Sequence, residues 1–351
     1  MKRQFELLTY SAGVTAKGVV MKRRTFMKTA GAAGAGMTLT GDNNSVGADS
    51  MTKGDTIPKR PYGDTGIHLS IIGFGGMVVN GAEQSVADKV VRDSIEAGIN
   101  YFDVAPTYGN AEEKLGPALE PFRKDVFLAC KSTERGAAGL RREMEQSLKT
   151  LRTDHFDLYQ LHALTTANDI KEAFGPGGAM EAVEKAKEEG LINHIGFSSH
   201  SVESSMEALE LFPFDSILVP INFVTWHNGG FGPQLVEYAR KRGAAVLALK
   251  SMALTRLPQG TKREDRPYKN CWYVPVEDDE LALKALRFTL SLPVTAAVPP
   301  GDEVLYRRAM KLGTAFLPLS AQEQDELKQA AGGVAPMFSY PSGSFNLTEK
   351  G

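Results

Sequence analysis

The chain has 351 residues, 42% of them hydrophobic and 23% charged, a balance that suits a globular enzyme with a large core and excludes a disordered or collagen-like polymer. A formal net charge of -2, from 40 basic and 42 acidic residues of interspersed sign, leaves no basic face for a nucleic-acid backbone, so nucleic acid is not expected as a partner. Two cysteines are too few for a disulfide framework or a Cys-rich metal site, and the six histidines lack ligand spacing, so no metal is expected.

Residues 21–28 read Met-Lys-Arg-Arg-Thr-Phe-Met-Lys, and an Ala- and Gly-rich stretch runs from Thr29 to Thr40. A basic start before a short, weakly apolar run reads as a signal peptide, because the run is too short to span a bilayer. The Arg23-Arg24 pair with Phe26 and Lys28 resembles a twin-arginine export signal, and Val46-Gly47-Ala48 offers a small-residue cleavage site before Asp49. Residues 1–48 are therefore expected to be a targeting segment, with residues 1–20 upstream of a natural start at Met21. The implied partner is the twin-arginine export machinery and the implied destination the periplasm, with no stable membrane insertion once the signal is removed; unused, the signal would leave the protein cytoplasmic.

From Pro58 no linker or composition break appears, so one domain is expected over 58–332, followed by an irregular tail over 333–351. Lys59–Ile67 carries the turn signal Gly63-Asp64-Thr65-Gly66 between two short extended pieces and reads as a hairpin plugging a barrel floor. Strands are expected at His68–Ile72, Tyr101–Val104, Val126–Lys131, Phe156–His162, His194–Ser198, Ile217–Ile221, Ala245–Leu249 and Thr295–Val298. Between them, apolar residues at three- and four-residue steps predict helices at Ser85–Ala97, Leu140–Leu151, Ala179–Glu189, Val202–Leu211, Gln234–Lys241 and Asp278–Leu290. An eighth helix follows at Asp302–Leu312, and another starts near Ser320 with a capping box to Glu323. Strand-helix alternation with eight repeats at roughly 25 to 35 residues favours a closed (β/α)8 TIM barrel of the α/β class. An open dinucleotide-binding sheet is the weaker choice, because the turn Gly73-Phe74-Gly75-Gly76-Met77 lacks a Gly-x-Gly-x-x-Gly pattern.

In such barrels chemistry sits at the C-terminal strand ends. There the sequence places Asp103 and Tyr108 after the second strand, Lys131 at the third and His162 at the fourth. Strand parity turns Tyr101, Phe127, Ala129 and Gln160 inward with them and Cys130 outward, away from a pairing with Cys271 on a long loop. A phenol in water titrates near pH ~10, and an adjacent ammonium lowers that value. Lys131 supplies the ammonium, Asp103 holds it charged, and His162 adds a hydrogen bond. A tyrosine acid facing a carbonyl needs a hydride source, which implies a nicotinamide cofactor.

Phe102-Asp103-Val104-Ala105-Pro106-Thr107-Tyr108-Gly109, the Lys of the third strand and the Leu161-His162 ending together resemble the aldo-keto reductases over nearly the whole barrel. The resemblance implies a catalytic tetrad of Asp103, Tyr108, Lys131 and His162, with Tyr108 as general acid, and a small-molecule carbonyl substrate. It also implies that Ser198 and Ser199, in Gly196-Phe197-Ser198-Ser199-His200, hold the nicotinamide carboxamide, although Ser199 stands where the family has Asn. Asn222 stands in for the family's Gln. Leu249 or Lys250 lines the site where the family often stacks a Tyr on the nicotinamide; Lys250 neutralising cofactor phosphate is the other reading. Val298-Pro299-Pro300-Gly301-Asp302 resembles the family's phosphate-binding turn, leading to a helix N-terminus and to Arg307 and Arg308 as candidates for an adenosine 2′-phosphate. Gly75 and Gly76 complete the expected cofactor contacts. NADP, as NADPH, is expected over NAD. Substrate walls are sought in Ala253–Pro275, with Trp272, Tyr273 and Trp226. The alternative reading is a nicotinamide-binding regulatory barrel with slow or incidental turnover.

Overall fold

The computed structural model describes residues 56–341; the expected signal, its cleavage point and the start at Met21 lie outside the described residues, as does the chain beyond 341. The chain first forms a hairpin of β1 (Lys59–Pro61) and β2 (His68–Ser70). Gly63 and Gly66 turn it at positive φ, a conformation glycine takes without a Cβ clash. Tyr62 and Leu69 point from the hairpin into the barrel interior and pack with Tyr101, Phe127 and Leu158. The Tyr62 hydroxyl donates to Ser216 Oγ at 2.8 Å.

The run His68–Ile72, expected as one barrel strand, is divided in the structure. Its first half is the return arm of the hairpin, and the first barrel strand is β3 (Phe74–Gly75), two residues long. His68-Leu69-Ser70-Ile71-Ile72 is one extended run in sequence, and alternation alone does not mark where it leaves one sheet for another. Gly73 makes the junction possible, because a Cβ there would lie 2.6 Å from the Tyr101 ring.

Seven further parallel strands follow: β4 (Tyr101–Asp103), β5 (Phe127–Ser132), β6 (Phe156–Leu161), β7 (Ile192–Ser198), β8 (Ser216–Pro220), β9 (Ala245–Leu249) and β12 (Ala296–Val298). They form an 8-stranded sheet. It closes where Ile72 bridges Ala297 in parallel, with Gly73 N–H donating to Ala297 O at 2.9 Å and Ala297 N–H to Ile71 O at 2.8 Å. Between β9 and β12 the long loop carries an antiparallel pair, β10 (Ala253–Arg256) and β11 (Tyr273–Pro275).

The outer layer comprises α1 (Gln84–Glu96), α2 (Ala111–Leu119), α3 (Ala137–Thr150), α4 (Ala167–Phe174), α5 (Ala179–Glu188), α6 (Val202–Leu211), α7 (Phe223–His227), α8 (Pro233–Lys241), α9 (Asp279–Ser291), α10 (Glu303–Thr314) and α11 (Ala321–Ala331). The Ser320–Glu323 capping box opens α11 as expected. The helices meet the sheet in a large outer core that includes Cys130, while Tyr101, Phe127 and Ala129 fill the inner one, as strand parity requires. Both cysteines are free and buried.

Candidate active site

Asp103 is the last residue of β4, and Lys131 lies one residue short of the end of β5. Register pairs Asp103 with Ala129 and Lys131 with Gln160, so the inward-facing side chains of three neighbouring strands meet at one barrel end. Both charged groups are buried, and Lys131 Nζ forms an ion pair with Asp103 Oδ1. Asp103 Oδ2 accepts from Gln160 Nε2 at 2.9 Å and from the Tyr101 hydroxyl at 3.3 Å. Gln160 and Tyr101 therefore fix the carboxylate that fixes the lysine. Parity had turned both inward without assigning them a part.

Tyr108 lies on the turn after β4, its N–H donating to Ala105 O at 3.0 Å. Its ring centre is 5.4 Å from Lys131 Nζ and 6.0 Å from the His162 ring, which meets it nearly edge-on at 81°. Burial pushes the phenol above its ordinary value; Lys131 pulls it down by charge and hydrogen bonding, Asp103 pushes it up, and the balance is a raised pKa. The expected lowering by Lys131 is therefore outweighed by burial. Burial also works against the charge on Lys131, but Asp103 and Tyr108 outweigh it and hold that pKa above the usual value. The pair is thus a protonated phenol beside a protonated amine.

His162 follows β6 directly, with Nδ1 2.9 Å from Ser198 Oγ. Ser198 Oγ also accepts the Ala163 N–H at 2.9 Å, and its own hydroxyl proton suits Nδ1 in the tautomer that carries hydrogen on Nε2. Arg135 holds this corner. Its guanidinium donates to the carbonyls of Thr133, His162 and Ala163 at 3.1, 2.8 and 3.0 Å and pairs with Asp169 at 3.0 Å. Ala163 sits at φ 58, so the clamp secures a strained backbone next to His162.

The expected cofactor residues divide into groups. Ser198, at the end of β7, lies beside His162, whereas Ser199 turns into its own loop, its hydroxyl donating to the carbonyls of Leu164 at 2.5 Å and Ser201 at 3.1 Å. Asn222 caps α7, accepting the Thr225 N–H at 2.8 Å; its Nδ2 is buried without a partner, a donor suited to an amide oxygen. Leu249 ends β9 and packs against the inner core. Packing calls for glycine at Gly75 and Gly76, where a Cβ would lie 3.1 Å from Val298 and 2.7 Å from Val104 respectively. Pro299 is buried after β12, and Gly301 approaches Met77 so closely that a Cβ would lie 2.3 Å from the methionine's own. Asp302 caps α10 by accepting the Val304 N–H at 3.1 Å. Arg307 pairs with Asp93 and Glu303, both at 2.8 Å. Arg308 pairs with Asp279 at 2.5 Å and donates to the carbonyls of Val276 and Glu277.

Lys250 is buried at φ 61, with Nζ 3.0 Å from His200 Nε2 and 4.8 Å from the Trp272 ring centre. Trp226, sought as a substrate wall, packs instead on Phe288 of α9. Phe338 comes from the tail over 333–351, expected to be irregular, and stacks on His200 at 5.0 Å. Nothing in the sequence marks that aromatic as a neighbour of residues more than a hundred positions earlier.

The sequence profile of the Aldo/keto reductase family matches residues 71–289, a span that holds all four tetrad positions. The chain belongs to that family. Among its relatives is YqkF of Bacillus subtilis, described as an uncharacterized oxidoreductase, 36% identical over 155 residues, which cover 40% of this chain and 48% of that protein. An NAD/NADP-dependent indole-3-acetaldehyde reductase of Schizosaccharomyces pombe is 27% identical over 218 residues, covering 60% of this chain and 74% of that one. The match to YqkF thus spans about half of that relative's length. The holo form of the Bacillus halodurans aldo-keto reductase AKR11C1 shares the fold, with a TM-score of 0.62 over 80% of this chain and 98% of that one at 24% identity.

Proposed function

We propose that the protein reduces an aldehyde or ketone to an alcohol with a nicotinamide cofactor, NADPH in preference to NADH, with Tyr108 as proton donor. The observation that carries this reading is the meeting of Tyr108, Lys131, Asp103 and His162 at one barrel end, with the phenol kept protonated by burial and the amine kept charged by Asp103. The cofactor, when bound, supplies hydride to the carbonyl carbon. As the carbonyl oxygen becomes an alkoxide it takes the Tyr108 proton, and the phenolate left behind is stabilised by the Lys131 ammonium. His162 Nε2–H is suited to donate to the same oxygen, and Gln160 and Tyr101 keep Asp103 from rotating off the lysine.

Asn222 Nδ2, a buried donor lacking a partner, fits a carboxamide oxygen, and Ser198 stands with it as a candidate holder of that group. Pro299 and Gly301 lead to the start of α10, where phosphate would lie. Arg307, held by two ion pairs, and Arg308, held by Asp279 and two backbone carbonyls, are both candidates for a 2′-phosphate. The reductase of Schizosaccharomyces pombe named for both dinucleotides supports a nicotinamide cofactor without choosing between them. We also propose export, from the twin-arginine-like segment at residues 21–28; among the described residues no helix is long and apolar enough to cross a membrane. Fractionation of cells expressing the wild type and an Arg23→Lys, Arg24→Lys variant tests it, and identical distribution of the two would contradict it.

The decisive experiment is fluorescence titration with NADPH and NADH, followed by turnover of a generic aromatic aldehyde by the wild type and by Tyr108→Phe. A loss of at least ~100-fold is expected, as for removal of a general acid. Equal rates would overturn the assignment.

A further inference from the structure

Lys250 and His200 form a second basic pair that the tetrad does not use. Lys250 leaves β9 in the left-handed region, a strained conformation for a non-glycine residue. Its Nζ lies 3.0 Å from His200 Nε2, 4.8 Å from the Trp272 ring centre and 5.6 Å from that of Phe338. Among the described residues no carboxylate pairs with Lys250, and His200 Nδ1 is buried without a partner. The groups that act on the pair are Lys131, which repels Lys250; the Cys271 thiol, which favours its charge; and His162, which disfavours charge on His200. Lys250 follows the C-terminal end of β9, the same barrel end at which β4 and β5 present Asp103 and Lys131, and Trp272, 43% exposed, places the pair just inside the surface.

Two basic groups shielded from water with nothing acidic between them are a costly arrangement for the free protein. Burial brings the lysine down to about 7 and holds His200 well below its ordinary value, so above neutrality the pair rests uncharged, with His200 Nε2 able to accept from the amine and Nδ1–H left as a donor. An anion entering here would supply the missing counter-charge, accept from both groups and draw a proton onto the lysine.

We propose that Lys250 and His200 bind an acidic group on the substrate, so that the carbonyl compound reduced by this enzyme carries a carboxylate. The proposal rests on the reading of the site as a carbonyl reductase and names its substrate class.

Two pairs of aldehydes that differ only in charge test it: 4-formylbenzoate against its methyl ester, and 4-oxobutanoate against its methyl ester, each assayed with NADPH. In at least one pair kcat/KM for the acid is expected to exceed that for the ester by about tenfold or more at pH 6.5, and Lys250→Met to bring the ratio close to one, mainly through KM. KM for the acid should rise with pH above 7, because the free amine is then neutral and binding must take up a proton. Calorimetric titration of 4-(hydroxymethyl)benzoate and 4-hydroxybutanoate into the NADP-loaded protein at pH 8, in two buffers of different ionisation enthalpy, should show uptake of about one proton with at least one of them, absent in Lys250→Met. Loss of NADPH affinity in Lys250→Met with the acid-to-ester ratio unchanged would assign the lysine to cofactor phosphate and overturn the proposal. So would a wild type that prefers both esters. If no aldehyde is reduced, the carbonyl-reductase reading fails, and the calorimetry still decides whether the pair binds a carboxylate.

Discussion

Tyr108 keeps its proton at neutral pH because burial and the Asp103 carboxylate outweigh the pull of Lys131. A donor with a raised pKa stays loaded as pH increases, so reduction of an uncharged aldehyde should be flat through neutrality and fall only in the alkaline range; a fall below pH 7 would point to a different acid. Lys131 and Asp103 make a separable prediction, because in the proposed mechanism Lys131 serves both turnover and stability. The ion pair is buried on both sides, and removing one partner of such a pair costs roughly 3–5 kcal/mol by stranding the other charge. Lys131→Met should therefore be both inactive and markedly destabilised, whereas the double variant Lys131→Met, Asp103→Leu should regain much of the stability and none of the activity. Urea unfolding beside aldehyde turnover separates the two effects, and a double variant no more stable than the single one would show that the stranded carboxylate is not what Lys131→Met costs.

At the scale of elements, the strand ends were legible because period-two alternation fixes which side chains share a face, and Asp103, Lys131 and Gln160 follow from it at once. The hairpin boundary was not legible, since Leu69 and Ile72 both belong to one apolar run yet serve different sheets. α2 was hidden by Gly116-Pro117, which reads as a breaker; the glycine is there because a Cβ would lie 2.4 Å from the Thr150 carbonyl, and the helix is held by packing rather than propensity. Arg135 was also invisible, because three of its four acceptor residues offer backbone carbonyls, which carry no residue signature. It acts on the corner joining β6 to α4, where His162 and the strained Ala163 sit. Arg135→Ala should lower kcat about tenfold or more with little change in KM for an uncharged aldehyde, through misplacement of His162. Arg135→Lys should not rescue it, because an ammonium lacks the fork that spans several carbonyls. Unchanged kcat in Arg135→Ala would show that the corner holds without the clamp.

For the whole molecule, the burial of Lys250 is a stability cost that depends on pH, and the sign is fixed by linkage. Its pKa falls from 10.5 in the unfolded chain to about 7 in the fold, so between those values the unfolded state binds more protons and stability rises with pH. Below pH 7 the lysine is charged in both states and its cost is complete; above 10.5 it is neutral in both and the cost is gone. Between pH 7 and pH 9 the wild type should gain roughly 2 kcal/mol relative to Lys250→Met, since one pKa unit corresponds to ~1.4 kcal/mol. Titrating groups that Lys250 does not act on contribute to both proteins alike and cancel in that difference. Urea midpoints of the two proteins at the two pH values measure it. If the gap between them stays constant, Lys250 carries its charge in the folded barrel, and the proton uptake expected on carboxylate binding has no source.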